Sequence, residues 1–299
     1  MALQITPIRP RFVAEIGGVD ISVALDAPAV AALRGAMDEH GVLVFHGQAL
    51  TDAQQIDFVR HFGEPERYAL SYRNDVKLRL QTPEMVDVSN LDAATGKPQT
   101  GAARHRMVNL GNRLWHTDSS FRLPAGGFSM LYAHAVPPHS ELGNGETEFA
   151  DTRAAYDALP AARRAPLETM EAVHSLMHSR AMLGFSDFTP EEHAALPPVR
   201  QPLVRTHPRT GRKALYVASH ASEIVGMEVP EGRLLLSELT EHITRREFVY
   251  RHEWRVGDLV IWDNRATLHR GMPFDERHAR DLRRVTTKDE TMPARMAAE

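Results

Sequence analysis

The chain is predicted to be mainly β, a sandwich or barrel with a few helices packed outside. Two observations predict this. Short apolar runs bounded by Gly and Pro turns recur through the C-terminal half. The marks of a doubly wound parallel sheet are missing: no Gly-x-Gly-x-x-Gly follows a strand, and neither a phosphate loop nor a Gly-x-Ser-x-Gly elbow occurs. At 299 residues, 42% hydrophobic and 25% charged, the chain reads as one globular domain over residues 1–299.

The elements follow from local pattern. Residues 12–22 read as strand, turn and strand. Pro28 to Glu39 has helical spacing, with Val30, Leu33 and Met37 on one side and Pro28 tolerated in the first turn. Gly41 to Phe45 is a compact apolar strand. Thr51 opens a helix through a capping box with Gln54, and Ile56, Val59 and Phe62 form its buried face. Residues 64–112 carry charges, Pro83, Pro98 and several Gly, and read as a long loop region. Strands are predicted at Phe128–Val136, Thr147–Ala150, Glu247–Trp254, Asp258–Trp262 and Leu282–Thr287. Helices are predicted at Thr152–Leu159 and Leu234–Arg245, with a helical or irregular insertion over 160–200.

Bulk properties exclude several function classes. The net charge is −4 and no basic stripe appears, so a nucleic-acid partner is not expected. With no cysteine there is no disulfide, thiolate metal site or Fe–S cluster. Any metal must be held by His, Asp or Glu. No apolar run approaches the ~18 residues of a membrane span, and Met1 to Pro10 lacks the apolar core of a signal peptide. A cytoplasmic location is expected.

The chemistry-bearing pattern begins at Leu114-Trp-His-Thr-Asp-Ser-Ser-Phe121. On an extended strand, His116 and Asp118 face the same way and can reach one ion. Sixteen His and 39 acidic residues in 299 produce about two His-x-acid pairs by chance, and the chain has two, the other being His139/Glu141 in a polar turn. Context separates them. Gly257 to Gly271 (GDLVIWDNRATLHRG) reads as strand, turn at Asp263-Asn264, and strand ending in His269. Two His and one carboxylate on one side of an ion, with other positions open, suit a non-haem Fe(II) oxygenase. Arg280 and Arg284 follow on the next strand. 2-Oxoglutarate chelates iron through its keto end, so its C5 carboxylate needs a buried partner, and the planar Arg fork suits it.

WHTD, TEF and WDNRATLH with Arg280 and Arg284 together resemble the taurine dioxygenase family of Fe(II)/2-oxoglutarate-dependent oxygenases. VLVFHGQAL, SMLYAHAVPP, ADTRAAYDALP, PLVRTHPRTGRK and REFVYRHEW extend the likeness from about residue 12 to residue 290. The resemblance implies a double-stranded β-helix (jelly-roll) core with flanking helices. It implies Fe(II) on His116, Asp118 and His269, with 2-oxoglutarate and O2 as co-substrates. It implies Thr147, Arg280 and Asn112 around 2-oxoglutarate, and Arg284, His220 and Ser119 around an anionic substrate. Trp115 and Trp262 match aromatic residues beside the iron, for which core packing is a sufficient reason.

The likeness is strongest to the branch that hydroxylates aryloxyacetates next to the ether oxygen, giving a phenol and glyoxylate with succinate and CO2. A homo-oligomer is expected on the same ground. Two departures stand out. The loop Pro137–Gly145 is long, with Asn144 where the family has a Gly. Residues 66–110 match poorly and, with 160–200, are the expected lid and insert segments. Three rivals stay open: a taurine or alkylsulfonate dioxygenase, a non-catalytic cupin-like metal-binding protein, and a zinc hydrolase on the same ligands.

Overall fold

A computed structural model describes residues 3–67, 78–99, 101 and 104–291. Part of the expected lid, residues 68–77 with 100, 102 and 103, lies outside the described residues. The strands are β1 (Gln4–Arg9), β2 (Val13–Gly17), β3 (Val42–Phe45), β4 (Met85–Asp87), β5 (Gly126–Ala135), β6 (Thr147–Asp151), β7 (Glu171–His174), β8 (Val199–Pro202), β9 (Val204–Thr206), β10 (Lys213–Leu215), β11 (Ala221–Ile224), β12 (Val249–His252), β13 (Leu259–Asp263), β14 (Thr267–Gly271) and β15 (Asp281–Lys288). The helices are α1 (Ala27–His40), α2 (Asp52–Val59), α3 (Arg104–Leu110), α4 (Thr152–Ala158), α5 (Ala161–Leu167), α6 (Leu176–Ala181), α7 (Pro190–Ala195) and α8 (Val229–Ile243).

A seven-stranded sheet in the order β1-β2-β3-β13-β5-β15-β4 carries most of the fold. Its central strands are buried on both faces, which is why β3 and β13 read as unbroken apolar runs. One face, through Leu43, Phe45, Met130 and Ile261, packs on Leu33 and Met37 of α1 and on Ile56 and Phe58 of α2. The other, through Val42, Val44, Leu131 and Val260, shares an apolar layer with Phe149 of the three-stranded sheet β12-β6-β14. Adjacent residues of one strand thus serve opposite layers. A further core joins α4 and α8 to β7, β10 and β11. Among the described residues, no helix is long and apolar enough to cross a membrane.

Local signals set the helix ends. Asp26 caps α1 by accepting from the Ala29 N–H at 2.8 Å, and Gly41 ends it at φ +81°, a left-handed conformation that Gly adopts without steric cost. The Thr51–Gln54 capping box forms as predicted.

Four expectations are corrected. Residues 12–22 do not form a hairpin; β2 pairs back onto β1, whose exposed, Pro-containing stretch carries no apolar alternation. The helix predicted at Leu234 starts five residues earlier at Val229, with Pro230 in its first turn. Segment 160–200 contains strands as well as helices: β7 lies between β11 and β8, its buried positions being Ala172 and His174, which do not look like a core strand. The loop region 64–112 holds β4, α3 and the 3-10 turn Gly111–Arg113.

The turn from β13 to β14 is pinned by a buried ion pair. Arg265 donates to both carboxylate oxygens of Asp263 at 2.8 Å, and His207 Nε2 meets the same group at 3.0 Å. Asp263→Ala leaves the buried Arg265 only its 3.8 Å contact with Asp289 and is expected to cost about 3–5 kcal/mol in urea unfolding. A loss below about 1 kcal/mol, the range of an exposed pair, contradicts this role.

Candidate metal centre and its two chambers

The centre is built from two distant segments. His116 and His269 form an isolated antiparallel bridge, each N–H donating to the other's carbonyl at 3.0 and 2.8 Å. The bridge sets the two imidazoles side by side, with ring centroids 4.1 Å apart. Asp118 turns the same way as His116, as the i, i+2 spacing predicts, although the segment is extended with one bridge rather than a strand. Its carboxylate lies 3.8 Å from His116 Nε2 and 3.6 Å from His269 Nε2. One donor atom from each residue lies within 4.8 Å of the others, and no other such group occurs among the described residues. His139 and Glu141 are exposed, and His139 contacts Asn144 instead.

The donors are in the right form for a cation. His116 Nδ1 lies 2.7 Å from the Leu114 carbonyl, which can only accept, so Nδ1 holds the proton and Nε2 the lone pair. That Nε2 is buried without a hydrogen-bond partner. Burial pushes the His116 imidazole down to about 4 and His269 well below its ordinary value, so both are neutral at pH 7. Burial alone would raise the Asp118 carboxyl, but Arg284, His269, His116 and the Ser129 hydroxyl outweigh it and keep the group ionised. Two neutral imidazoles and a carboxylate, with one lone pair orphaned, fit a divalent metal.

Sequence reading missed what orients Asp118. Asn264 Oδ1 accepts from the Asp118 N–H at 3.1 Å and from Trp262 Nε1 at 3.0 Å. Its amide donates to Ser129 Oγ at 2.9 Å, and Ser129 in turn donates to Asp118 Oδ2 at 2.7 Å. Asn264 reads in sequence as a turn residue, and nothing local reveals that the turn is buried. Trp262 is core, as its position suggests, but its ring also packs 4.6 Å from His269. Trp115 is half-buried beneath Arg270.

Two chambers share Asn109 and Asn112 in their walls, and the first is also lined by His116 and Asp118. The first measures about 850 Å³ counted to its open mouth and brings His116, Asp118, Ser119, His220 and Arg284 into one wall. Val86, Val108, Phe121, Leu176 and Phe188 supply apolar wall. Arg284 Nη1 donates to Asp118 Oδ1, and its Nε is buried without a partner. His220 is buried, bonded to Ser179, and kept neutral by burial. Ser119, at φ +54°, donates to Glu66 Oε2 at 2.7 Å. Burial pushes Glu66 up to about 7, against the pull of Arg122 and Ser119.

The second chamber, about 520 Å³ to its open mouth, contains Arg280. That guanidinium is buried and donates to the carbonyls of Gly145 and Val88, at 2.9 and 3.3 Å. No carboxylate lies within salt-bridge distance among the described residues. Burial, with Arg113 nearby, pushes it down to about 10, so it stays charged. Gly145 sits at φ +75°, and a Cβ there would lie 2.6 Å from Arg280 Nε. The lengthened loop before β6 therefore ends in the Gly that lets Arg280 approach. Thr147 lines neither chamber; its Oγ1 accepts from Trp254 Nε1 at 3.0 Å, which leaves the hydroxyl proton free to donate.

Known proteins resemble this chain over nearly its whole length. Residues 4–286 match the family described as taurine catabolism dioxygenase TauD, TfdA family. The chain belongs to the TauD/TfdA family of dioxygenases. A relative from Cupriavidus pinatubonensis (strain JMP 134 / LMG 1197), an alpha-ketoglutarate-dependent 2,4-dichlorophenoxyacetate dioxygenase, is 46% identical over 98% of this chain and 100% of its own. An (S)-phenoxypropionate/alpha-ketoglutarate-dioxygenase of Delftia acidovorans is 36% identical over 91% of this chain and 90% of its own. The crystal structure of AAD-2 in complex with Mn(II) and N-oxalylglycine superposes with a TM-score of 0.87, at 45% identity and 98% coverage of both chains.

Asn264→Ala is expected to weaken Mn(II) binding about 10–100-fold in calorimetry of the metal-free protein, since the residue only orients a ligand. Unchanged affinity contradicts that role. Four buried histidines, His116, His174, His220 and His269, are held below 6.5 by burial. The unfolded chain takes up these protons near pH 6.5 while the folded chain does not. Metal-free stability is therefore complete above pH 6.5 and falls as pH drops toward 4. Urea midpoints that stay level between neutral and mildly acid pH contradict this.

Proposed function

We propose that the chain is an Fe(II)- and 2-oxoglutarate-dependent dioxygenase that hydroxylates an aryloxyacetate next to its ether oxygen, giving a phenol and glyoxylate, with succinate and CO2 from the co-substrate. One observation carries this reading: Arg284 lines the chamber of His116 and Asp118, while the buried Arg280, in a chamber that shares Asn109 and Asn112 with it, has no carboxylate of its own. A zinc hydrolase or a bare metal-binding protein has no use for such a pair.

His116, Asp118 and His269 hold the iron. Bound there with 2-oxoglutarate, it supplies activation of O2 and oxidation of an unactivated C–H bond. Arg280 would take the C5 carboxylate of 2-oxoglutarate, with the Thr147 hydroxyl and the Asn112 amide assisting. Arg284 takes the substrate carboxylate, with Ser119 and His220 completing the polar end. Val108, Phe121, Leu176 and Phe188 offer apolar wall for an aryl ring. A carboxylate fixed at one end and a ring at the other bring the carbon between them to the iron, and that positioning is the protein's main catalytic contribution. The named activities of the Cupriavidus and Delftia relatives support an aryloxyalkanoate over taurine.

The two sheets sharing one apolar layer are read as a double-stranded β-helix within a single domain. Residues from 66–110 (Glu66, Val86, Val108) and from 160–200 (Leu176, Phe188) border the substrate chamber, in keeping with lid and insert roles.

Phenol release from 2,4-dichlorophenoxyacetate, with taurine run in parallel, tests the substrate class; turnover of taurine alone would replace it. Arg284→Ala is expected to raise KM for the aryloxyacetate about 10–100-fold. Slow succinate formation uncoupled from phenol should persist. An unchanged KM removes Arg284 from the substrate site.

A further inference from the structure

The Arg280 chamber holds three arginines and one carboxylate, and of the three guanidiniums only Arg280 has no carboxylate partner. Arg106 grips Glu276 with both arms, Nε to Oε2 at 2.6 Å and Nη2 to Oε1 at 3.3 Å. Arg113 donates from Nη2 to Oε1 of the same carboxylate at 2.6 Å. All four residues line the chamber, and Glu276 is largely buried. The carboxylate is held in place from behind: the Asn90 amide donates to the Glu276 and His278 carbonyls at 3.0 Å each, and Asn90 Oδ1 accepts from the Arg280 N–H at 2.9 Å.

Which guanidiniums are free to bond a ligand decides what such a chamber admits. Three unpaired guanidiniums in a partly desolvated pocket would attract any compact dianion, and inorganic phosphate and sulfate are the obvious competitors. With Arg106 and Arg113 engaged by Glu276, one buried guanidinium, Arg280, is left to match a single distal carboxylate. Discrimination of this kind needs an element that disfavours the wrong ligand as well as one that favours the right one.

We propose that Glu276 is a specificity-determining residue that occupies Arg106 and Arg113, so that the chamber accepts the distal carboxylate of 2-oxoglutarate on Arg280 and rejects inorganic oxyanions. The inference rests on the reading of this chamber as the 2-oxoglutarate site.

Calorimetry of N-oxalylglycine binding to the Mn(II)-loaded protein tests it, in sulfate and in chloride at matched ionic strength. In the wild type, sulfate should weaken binding less than about twofold, and in Glu276→Gln about tenfold or more, because two freed guanidiniums bind the competing dianion. Adding Arg113→Gln to Glu276→Gln should recover much of the sulfate tolerance. Arg113→Gln alone, which leaves Glu276 less compensated, should weaken N-oxalylglycine in chloride several-fold and keeps the proposal testable if Glu276→Gln does not fold. Equal sulfate sensitivity in wild type and Glu276→Gln overturns the proposal. So does a parallel loss of affinity in both salts, which marks a merely structural ion pair, and so does unaltered binding in Arg113→Gln. If N-oxalylglycine fails to bind the wild type at all, the co-substrate reading itself falls and takes this proposal with it.

Discussion

Two backbone hydrogen bonds between His116 and His269 are the constraint on which the site depends. They join an extended segment at the end of the Gly111–Arg113 turn to β14, and so bring together ligands far apart in the chain. Everything around the bridge serves to keep it in register. β14 pairs with β6 so that Phe149 lies opposite His269. β13, between β3 and β5, fixes where the Asp263–Asn264 turn emerges. From that turn Asn264 reaches back to the Asp118 backbone. The position of the triad thus follows from sheet register, and a slip of one residue would turn each ligand away.

The second constraint is electrostatic. Buried charges are costly unless paired or hydrogen-bonded. The fold pays for Asp263 with Arg265 and His207, and for Asp118 with Arg284 and Ser129. Arg280 is the exception, satisfied by carbonyls alone. A protein interior tolerates such a group where a ligand completes it, and this makes Arg280 the most informative residue in the structure. Glu66, in the wall of the substrate chamber, has Ser119 and Arg122 as partners, yet burial still raises it.

Much of this was legible in the sequence because it rests on short spacings. The i, i+2 relation of His116 and Asp118, the strand-turn-strand that carries His269 and the capping box at Thr51 survive in the structure; Arg284 lies on β15 as expected, but Arg280 falls one residue before that strand begins. What was not legible depends on contacts between distant segments. Asn264 looks like any turn asparagine until the turn is buried. Gly145 looks like loop glycine until Arg280 is packed against it. β7 hides its buried face behind Ala172 and His174, and β1 gains its place only by pairing with β2. Thr147 sits on the expected strand, but the Trp254 contact to its hydroxyl was not foreseeable.

The central claim is that one buried cation and one His-Asp-His triad together hold 2-oxoglutarate on iron. Anaerobic addition of Fe(II) and then 2-oxoglutarate to the metal-free protein, followed in the visible range, tests it most directly. The account predicts a weak charge-transfer band that needs both additions, fails to form in Arg280→Ala at the same 2-oxoglutarate concentration, and shifts when a phenoxyacetate is added. Absence of the band in wild-type protein with iron demonstrably bound would contradict the account.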